Sequence, residues 1–321
     1  MATSGVYYNK WTAFDIIHQA LYIIGVLAAG ETASSRELEI SKRTLNSMIK
    51  AWESAGTRLF SKEEATLFLT ASQYKYILGS PLSAADTTSY AHATEQYYST
   101  TLTSDKPIGT TVLDVTSTSD MTANDFIGIV LEGAAMQWST ILNIVSPLQV
   151  EISDPLTAAV TNGSFVYNYT DKIQKPLNAY ECRRQNNSFI DTPMWQLSHK
   201  EYNELPNKTI ASTPVNFHYQ PKRGYGLLYI WPASNSDSLY RINFTYDRQF
   251  QIFDSTLDNQ DFPDEWSEAI IYQLACRLAF PFGKRQMLEE LEPIADKYLD
   301  AMKNFDNEWG SIELRPDTIG E

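Results

Sequence analysis

The chain has 321 residues, a formal net charge of −14 and two cysteines. A chain of this length is sufficient for two domains with buried cores. The negative charge argues against a surface that grips nucleic-acid phosphates, because such a surface normally needs a basic patch. The charge is uneven, since residues 254–321 carry 16 acidic and 6 basic side chains, a balance of −10. The C-terminal part of the chain is therefore the acidic part.

Cysteine usage and hydropathy indicate the compartment. Cys182 and Cys276 lie far apart and do not make a disulfide framework, which predicts a reducing assembly compartment. No N-terminal stretch has a basic start followed by an apolar run, so no signal peptide is expected. The longest apolar stretch, residues 20–29, is shorter than the ~20 residues that a helix needs to span a bilayer.

Apolar residues near the N-terminus recur at spacings of three and four, which predicts two amphipathic helices. The apolar face of the first helix consists of Phe14, Ile17, Leu21 and Ile24. The second helix begins at a capping box in which Ser34 precedes Glu37 by three positions. Its apolar face consists of Leu38, Leu45, Ile49 and Trp52. A short turn joins the two helices, so antiparallel packing is expected.

The period changes after these helices. Leu67 and Leu69 occupy alternate positions, and so do Tyr74, Tyr76 and Leu78, which is typical of two β-strands. The short polar segment 71–73 lies between them, so a β-hairpin is predicted. Residues 80–108 have no clear period and are interpreted as a linker or loop.

Residues 110–170 have a β pattern. Short apolar runs are separated by turn residues, and they lie at 111–115, 126–131, 138–145, 150–152 and 165–169. Five short strands in this span predict a small antiparallel barrel or sandwich.

Helical spacing returns near the C-terminus. Pro263, followed by Asp264 and Glu265, is typical of a helix start. The apolar face of this helix consists of Trp266, Ile270, Leu274 and Leu278. A last helix is predicted at 285–306, with an apolar face of Leu288, Leu291, Ala295, Leu299 and Met302.

The sequence therefore predicts an α+β fold. Its N- and C-terminal regions form an antiparallel helical bundle, and its long β-rich middle includes the small β-barrel or sandwich. In domain terms, residues 1–80 and 254–310 form a helical core with the β-hairpin, and residues 100–172 are an inserted β-module. Residues 173–253 are a β-rich segment joined to the core, and residues 311–321 are an extended tail.

Motifs for catalysis or cofactor binding are not found in the sequence. The histidines His18, His92, His199 and His218 lie outside any metal-ligand spacing, and no phosphate-binding or nucleophile-elbow motif occurs. Adjacent acidic residues at 264–265 and 289–290 leave open a glycosidase-like acid pair, although such a pair must be held across a substrate cleft. We predict a protein that is not an enzyme and has no cofactor.

Four segments of the chain resemble segments of a known family and occur in the same order. They are residues 16–52, the FLTASQY run at 68–74, the YIWP run at 229–232 and residues 262–279, which begin FPDEWSEAI. Together they resemble the head-to-tail adaptor proteins of short-tailed bacteriophages, also called tail accessory factors or packaged-DNA stabilisation proteins. The resemblance covers both ends of the chain. The module at 100–172 departs from the shorter members and resembles a module of some longer ones.

The resemblance implies a structural virion protein at the head–tail junction, assembled in the host cytoplasm. It implies a dodecameric ring, closed by heterologous interfaces, that docks under the portal protein and extends the DNA channel. Further partners would be tail nozzle or tail fibre proteins, while genomic DNA passes through without specific binding and no membrane is involved. Whether the module contacts neighbouring subunits or these tail proteins stays open.

Two sets of residues are candidates for these roles. Acidic side chains of the last helix would line or border the channel and repel DNA phosphates: Glu289, Glu290, Glu292 and Asp296. The alternative is that these charges only keep a large complex soluble. Apolar residues of the C-terminal tail, which has no core face, are the candidate portal-binding residues: Trp309, Ile312, Leu314 and Ile319.

Two other classes of function remain as alternatives. One is a tail-associated cell-wall hydrolase that uses paired carboxylates. The other is a carbohydrate-binding tail protein that uses an exposed aromatic ring such as Trp138.

Overall fold

The computed structural model describes residues 11–28, 30–55, 61–79 and 90–305. It is a mixed α+β structure, with helices towards both ends and a long β-rich middle. The fold class is confirmed at this level. No helix in the described ranges is long and apolar enough to cross a membrane.

The chain divides into two compact units. Unit 1 is Met1–Ser61 with Phe250–Glu321, and unit 2 is Lys62–Gln249. The helices of the described residues are α1 (Ala13–Ile23), α2 (Ser35–Ala55), α3 (His199–Glu204), α4 (Ser267–Ala279) and α5 (Leu288–Phe305). All except α3 belong to unit 1.

Side-chain caps set the starts of α1 and α2. The N–H of Asp15 donates to the Thr12 hydroxyl at 3.2 Å, and the Thr12 N–H donates to the Asp15 carboxylate at 3.1 Å. At α2 the predicted capping box is present, because the Ser34 N–H donates to the Glu37 carboxylate at 2.7 Å and the Glu37 N–H donates back at 3.4 Å. Each cap satisfies backbone donors that have no partner within the helix.

The apolar faces of α1, α2, α4 and α5 pack into one core. The predicted faces point into this core. Their buried members are Ile17, Leu21, Ile24, Leu45, Ile49, Trp52, Trp266, Ile270, Leu274, Leu278, Leu291 and Ala295, and their partly buried members include Leu38, Leu288, Leu299 and Met302. In α1 the buried face also takes in Ala13 and Ile16, whereas Phe14 is half-buried.

Polar side chains of α2 bind the backbone of the segment that enters unit 1 from the β-rich middle. The Asn46 amide donates to the carbonyl of Phe253 at 2.9 Å and accepts from the N–H of the same residue at 3.0 Å. One turn further, Lys50 donates to the Phe250 carbonyl at 3.0 Å, and Glu53 accepts from the Phe250 N–H at 2.9 Å. These side chains therefore hold the backbone of residues 250–253, where the chain returns to unit 1, as hydrogen bonds from a neighbouring strand would.

Unit 2 is built from short strands. They are β1 (Lys62–Phe68), β2 (Lys75–Leu78), β3 (Ala93–Thr94), β4 (Tyr98–Thr101), β5 (Val112–Asp114), β6 (Phe126–Val130), β7 (Met136–Ser146), β8 (Gln149–Ile152), β9 (Phe165–Tyr169), β10 (Asn178–Asn186), β11 (Asp191–Pro193), β12 (Trp195–Gln196), β13 (Ala211–Ser212), β14 (Asn216–Pro221), β15 (Gly226–Trp231), β16 (Ala233–Ser234) and β17 (Tyr240–Asp247). A five-stranded sheet, β11-β10-β17-β1-β3, and a four-stranded sheet, β12-β14-β15-β2, contribute to one apolar core.

The predicted hairpin is wrong in its pairing. β1 pairs with β17 and β3, whereas β2 pairs with β15 in the other sheet. Both strands keep the predicted alternation, because Leu67 of β1 and Tyr76 of β2 belong to the same core. The Tyr76 hydroxyl accepts from the N–H of Thr70 at 3.0 Å and so stabilises the connection. Two strands with apolar faces can bury them as neighbours in one sheet or from two sheets that face each other across a core. The apolar alternation is the same in both cases, so it does not show which strands pair.

All five strands predicted for the module are present, as β5 to β9. They form a six-stranded antiparallel sheet in the order β4-β9-β6-β7-β8-β5 around a core of their own. The sixth strand, β4, lies in a segment interpreted as a linker, because its residues are polar and show no apolar alternation. The ends of the sheet meet, since the Thr103 N–H donates to Asp114 at 2.9 Å and the Thr116 N–H donates to Thr101 at 3.0 Å.

Candidate functional site

The candidate portal-binding residues lie outside the described residues. They are Trp309, Ile312, Leu314 and Ile319.

The four candidate channel residues lie on α5 and are exposed. Successive residues of a helix are rotated by about 100°, so Glu289, Glu292 and Asp296 fall in one stripe about 60° wide. Glu290 points about 100° away from Glu289, on the flank that also carries Lys297. The fold therefore brings three of the four carboxylates together and separates the fourth.

The acidic stripe borders α4. The Gln273 side-chain amide donates to the Asp296 carboxylate at 3.1 Å. Burial, together with the smaller effect of the negative charges of Glu292 and Asp296, raises the pKa of the Cys276 thiol to about 11. The stripe is thus close enough to α4 to influence its side chains while its carboxylates stay exposed to solvent.

The geometry of the acidic pairs does not favour glycosidase chemistry. Glu289 and Glu290 are consecutive on α5, and adjacent helical positions do not face each other. Asp264 and Glu265 are consecutive in a 3₁₀ turn before α4. A glycosidase pair has to face a substrate from two sides. Among the described residues, no group of three or more His, Cys, Asp or Glu is placed to hold a metal ion.

Two histidines that are isolated in sequence are brought together in unit 2. The Nδ1 atom of His199 on α3 lies 3.4 Å from Nε2 of His218 on β14. His218 is buried, and its Nδ1 atom lies 2.9 Å from the carbonyl oxygen of Leu197, to which it can donate. The short helix α3, which the sequence reading missed, positions His199 here. Its start is a capping box of Ser198 and Glu201, and that pattern was the available signal.

An aromatic cluster lies between the module and the five-stranded sheet of unit 2. We call it the junction cluster, and it consists of Phe68, His92, Phe126, Trp138, Tyr167 and Tyr169. The Phe68 ring of β1 lies 5.1 Å from Trp138 of β7 and 5.2 Å from Tyr167 of β9. The ring of His92, which precedes β3, stacks on Trp138 at 3.9 Å. The cluster therefore packs two parts of unit 2 against each other.

Trp138 is not the exposed aromatic residue that carbohydrate stacking requires. It is half-buried, and His92 covers one face of its ring. Gly128, its partner in the pairing of β6 with β7, lies so close that an added Cβ would be 2.7 Å from the ring. The expectation that Trp138 is an exposed ring for carbohydrate binding is therefore wrong, because the ring packs the module against the five-stranded sheet.

Burial controls the ionisation of the junction cluster. Burial, together with the smaller effect of the Lys172 charge, lowers the pKa of His92 to about 3. The His92 ring is therefore neutral at neutral pH, and its Nδ1 atom lies 2.6 Å from the Tyr169 hydroxyl. Burial also lowers the pKa of Lys172 to about 8, while its ammonium donates to the Tyr90 carbonyl at 2.9 Å. The His92 ring and the Lys172 ammonium therefore each have a hydrogen-bond partner within unit 2.

Several apolar side chains of unit 2 are exposed, and two groups of them lie on adjoining strands and turns. The module patch consists of Leu142, Val145 and Leu148, along β7 and the turn before β8. The sheet-edge patch consists of Phe189, Ile190, Trp195 and Val215, beside the edge strands β11 and β12. Trp195 is 77% exposed, an unusual value for so large an apolar ring.

No protein-family model matches the chain, and no curated protein matches it. Among solved structures, the chain has a weak similarity to VP17, a capsid protein of bacteriophage P23-77. The match has 8% identity, covers 59% of this chain and 83% of that one, and has a TM-score of 0.12. A similarity at this level carries no argument about fold or function.

Proposed function

We propose that this protein is a head-to-tail adaptor of a short-tailed bacteriophage. It is a structural virion subunit that forms a ring under the portal, extends the DNA channel and supports further tail proteins. It has no catalytic activity and no cofactor. Its partners are the portal protein, its own copies and a nozzle or fibre protein, while DNA passes without specific binding.

One observation carries the proposal. The segments in which the resemblance is densest, residues 16–52 and 262–279, contribute most of one apolar core although the β-rich unit separates them in the chain. The resemblance is therefore compatible with a single folded unit. Asn46 and Lys50, which lie inside the first segment, bind the backbone of the chain that returns to this unit.

The finer architecture is part of the same proposal. We infer that α1, α2, α4 and α5 form an antiparallel bundle, because their apolar faces pack into one core. We infer that the module is a small closed barrel, because hydrogen bonds link β4 to β5 at the ends of its sheet. A closed barrel has no free sheet edge and is suited to an exposed position in an assembly.

The test of the function is portal binding. Purified protein is mixed with purified portal rings of the same phage, and the product is imaged by electron microscopy. A ring of adaptor subunits attached to one end of the portal is expected. Portal rings that remain bare at saturating protein would contradict the proposal.

The portal contact is assigned to the tail. Deletion of residues 310–321 together with Trp309→Ala should abolish portal binding and leave the melting temperature unchanged, because a segment without a core face gains order from its partner. The matched control is a full-length chain in which residues 311–321 are replaced by a Gly/Ser stretch of equal length. If the truncated protein binds portal rings like the wild type, the tail assignment is wrong.

The acidic stripe of Glu289, Glu292 and Asp296 is assigned to the channel, with Glu290 at its border. Exposed carboxylates repel phosphate, so DNA would slide without binding. The same images test the assignment, and a stripe on the outer rim of the ring would refute it. A zymogram on bacterial cell wall tests the absence of hydrolase activity.

A further inference from the structure

The two apolar patches of unit 2 lie in regions of opposite charge. Residues 98–170, which contain the module patch, carry 7 acidic and 1 basic side chains. Residues 173–249, which contain the sheet-edge patch and its surroundings, carry 6 acidic and 9 basic side chains. One chain therefore presents an apolar patch on an acidic module and a second apolar patch on a basic segment.

The sheet-edge patch has the features of a binding surface. Trp195 is exposed on β12, an edge strand of its sheet, and its N–H donates to the Val215 carbonyl at 3.0 Å, so that its backbone is held in place. The Arg184 guanidinium donates to the neighbouring Pro214 carbonyl at 2.7 Å, which keeps a positive charge beside the patch. Exposed Trp flanked by Arg is the composition enriched at the centres of protein interfaces.

The module patch is the second surface. Leu142 and Leu148 are 59% and 56% exposed along the β7–β8 pair and its turn, and the two strands are bonded in a register interrupted by bulges. Bulges re-aim side chains and stop further strand pairing, so the β7–β8 pair can present these side chains without adding a strand.

We propose that the module patch of one copy of this chain docks on the sheet-edge patch of the next copy. The interface is heterologous, because two different patches of each copy are used, and repeated heterologous contacts form a ring when the rotation between copies closes. Opposite charges steer the two surfaces together, and the apolar side chains are desolvated on contact. This inference rests on the proposed function and identifies the subunit contact of its ring.

Complementation tests the proposal. Sedimentation velocity is recorded for the wild type, for Trp195→Ser and for Leu148→Asp, at concentrations up to about 1 mM, where contacts with Kd values near 1 mM are detectable. The wild type should associate, and each variant should associate roughly 30-fold more weakly. A mixture of the two variants should form a heterodimer, because one intact pair of patches remains. Leu142→Ser provides a second variant of the module patch.

The matched controls are Leu257→Ser in unit 1 and Ile108→Ser in the module, which remove exposed apolar side chains outside both patches. They should associate like the wild type, and high salt should weaken association throughout. The proposal is overturned if the wild type stays monomeric, if the patch variants associate like the controls, or if variants with wild-type melting temperatures fail to form the heterodimer.

Portal binding separates this inference from the proposed function. If the patch variants still form complete rings on the portal, the subunit contact is wrong and the adaptor function stands. If the wild type associates through the two patches and leaves portal rings bare, the contact is right and the adaptor function is wrong.

Discussion

A methyl group at position 128 should destabilise unit 2. Gly128 on β6 is paired with Trp138 on β7, and a Cβ at this position would lie 2.7 Å from two atoms of the indole ring. Carbon atoms in contact are normally separated by ~3.5–4.0 Å. Gly128 has an ordinary backbone conformation, so the clash is the only cost of Gly128→Ala that the structure shows.

The magnitude follows from what surrounds the ring. His92 stacks on Trp138 at 3.9 Å and Phe68 lies 5.1 Å away, so the indole cannot move aside without disturbing the junction cluster. Overpacking of this kind costs about 1–3 kcal/mol. For a unit of roughly 150–250 residues, each kcal/mol lowers the melting temperature by about 2–4 °C. A loss of several degrees is expected.

A double-mutant cycle isolates the contact. Urea unfolding is measured for Gly128→Ala, for Trp138→Ala and for the double variant. Trp138→Ala alone should cost about 3–5 kcal/mol, because it leaves a cavity in the cluster. The double variant should be more stable than the sum predicts by about 0.5–3 kcal/mol, since the added methyl group no longer meets the ring.

The result that would refute this reasoning is additivity. If Gly128→Ala is as stable as the wild type, or if its cost is unchanged when the indole is absent, the glycine does not accommodate the ring. The packing of the module against the sheet would then need a different explanation.

Two further predictions concern stability. Asn46→Ala should lower the free energy of unfolding by about 1–3 kcal/mol, because both hydrogen bonds to Phe253 are lost; urea unfolding measures this, and exposed Ser47→Ala should change little. For His92 the folded pKa of about 3 lies below the ordinary value of 6.5, so the unfolded chain binds the proton more readily. Stability should therefore fall as pH drops from about 6.5 towards 3, at up to ~1.4 kcal/mol per pH unit, and His92→Gln should flatten that slope. An unchanged slope in this variant would show that the His92 ring is not held neutral.

Local patterns in the sequence were sufficient for the four helices of unit 1 and for the strands with apolar alternation. The spacing of Leu45, Ile49 and Trp52 identifies the buried face of α2, because the geometry of a helix places these positions together wherever it packs. The Ser34 and Glu37 pair marks its start for the same local reason. The runs at 126–131 and 165–169 likewise identify two strands of the module.

Polar strands and polar contacts were not predicted, because they carry no apolar periodicity. β4 consists of Tyr98 and three hydroxyl residues, and it is a strand because β9 supplies its hydrogen-bond partners. Asn46 has no local signal for its role, since its partner Phe253 is distant in the chain. The contact between His199 and His218 has the same origin, because an α-helix and a strand from separate stretches meet there.

The sequence by itself determined where the helices of unit 1 and the strands with apolar alternation occur, which faces are apolar and how charge is divided between the module and the segment that follows it. Only the tertiary structure decided that β1 and β2 lie in different sheets, that Trp138 is used in packing and that Trp195 remains exposed. The physical reason is that side-chain periodicity is a property of a few consecutive residues. The partner of a strand or of an aromatic ring is chosen from the whole chain, by burial and hydrogen bonding between distant segments.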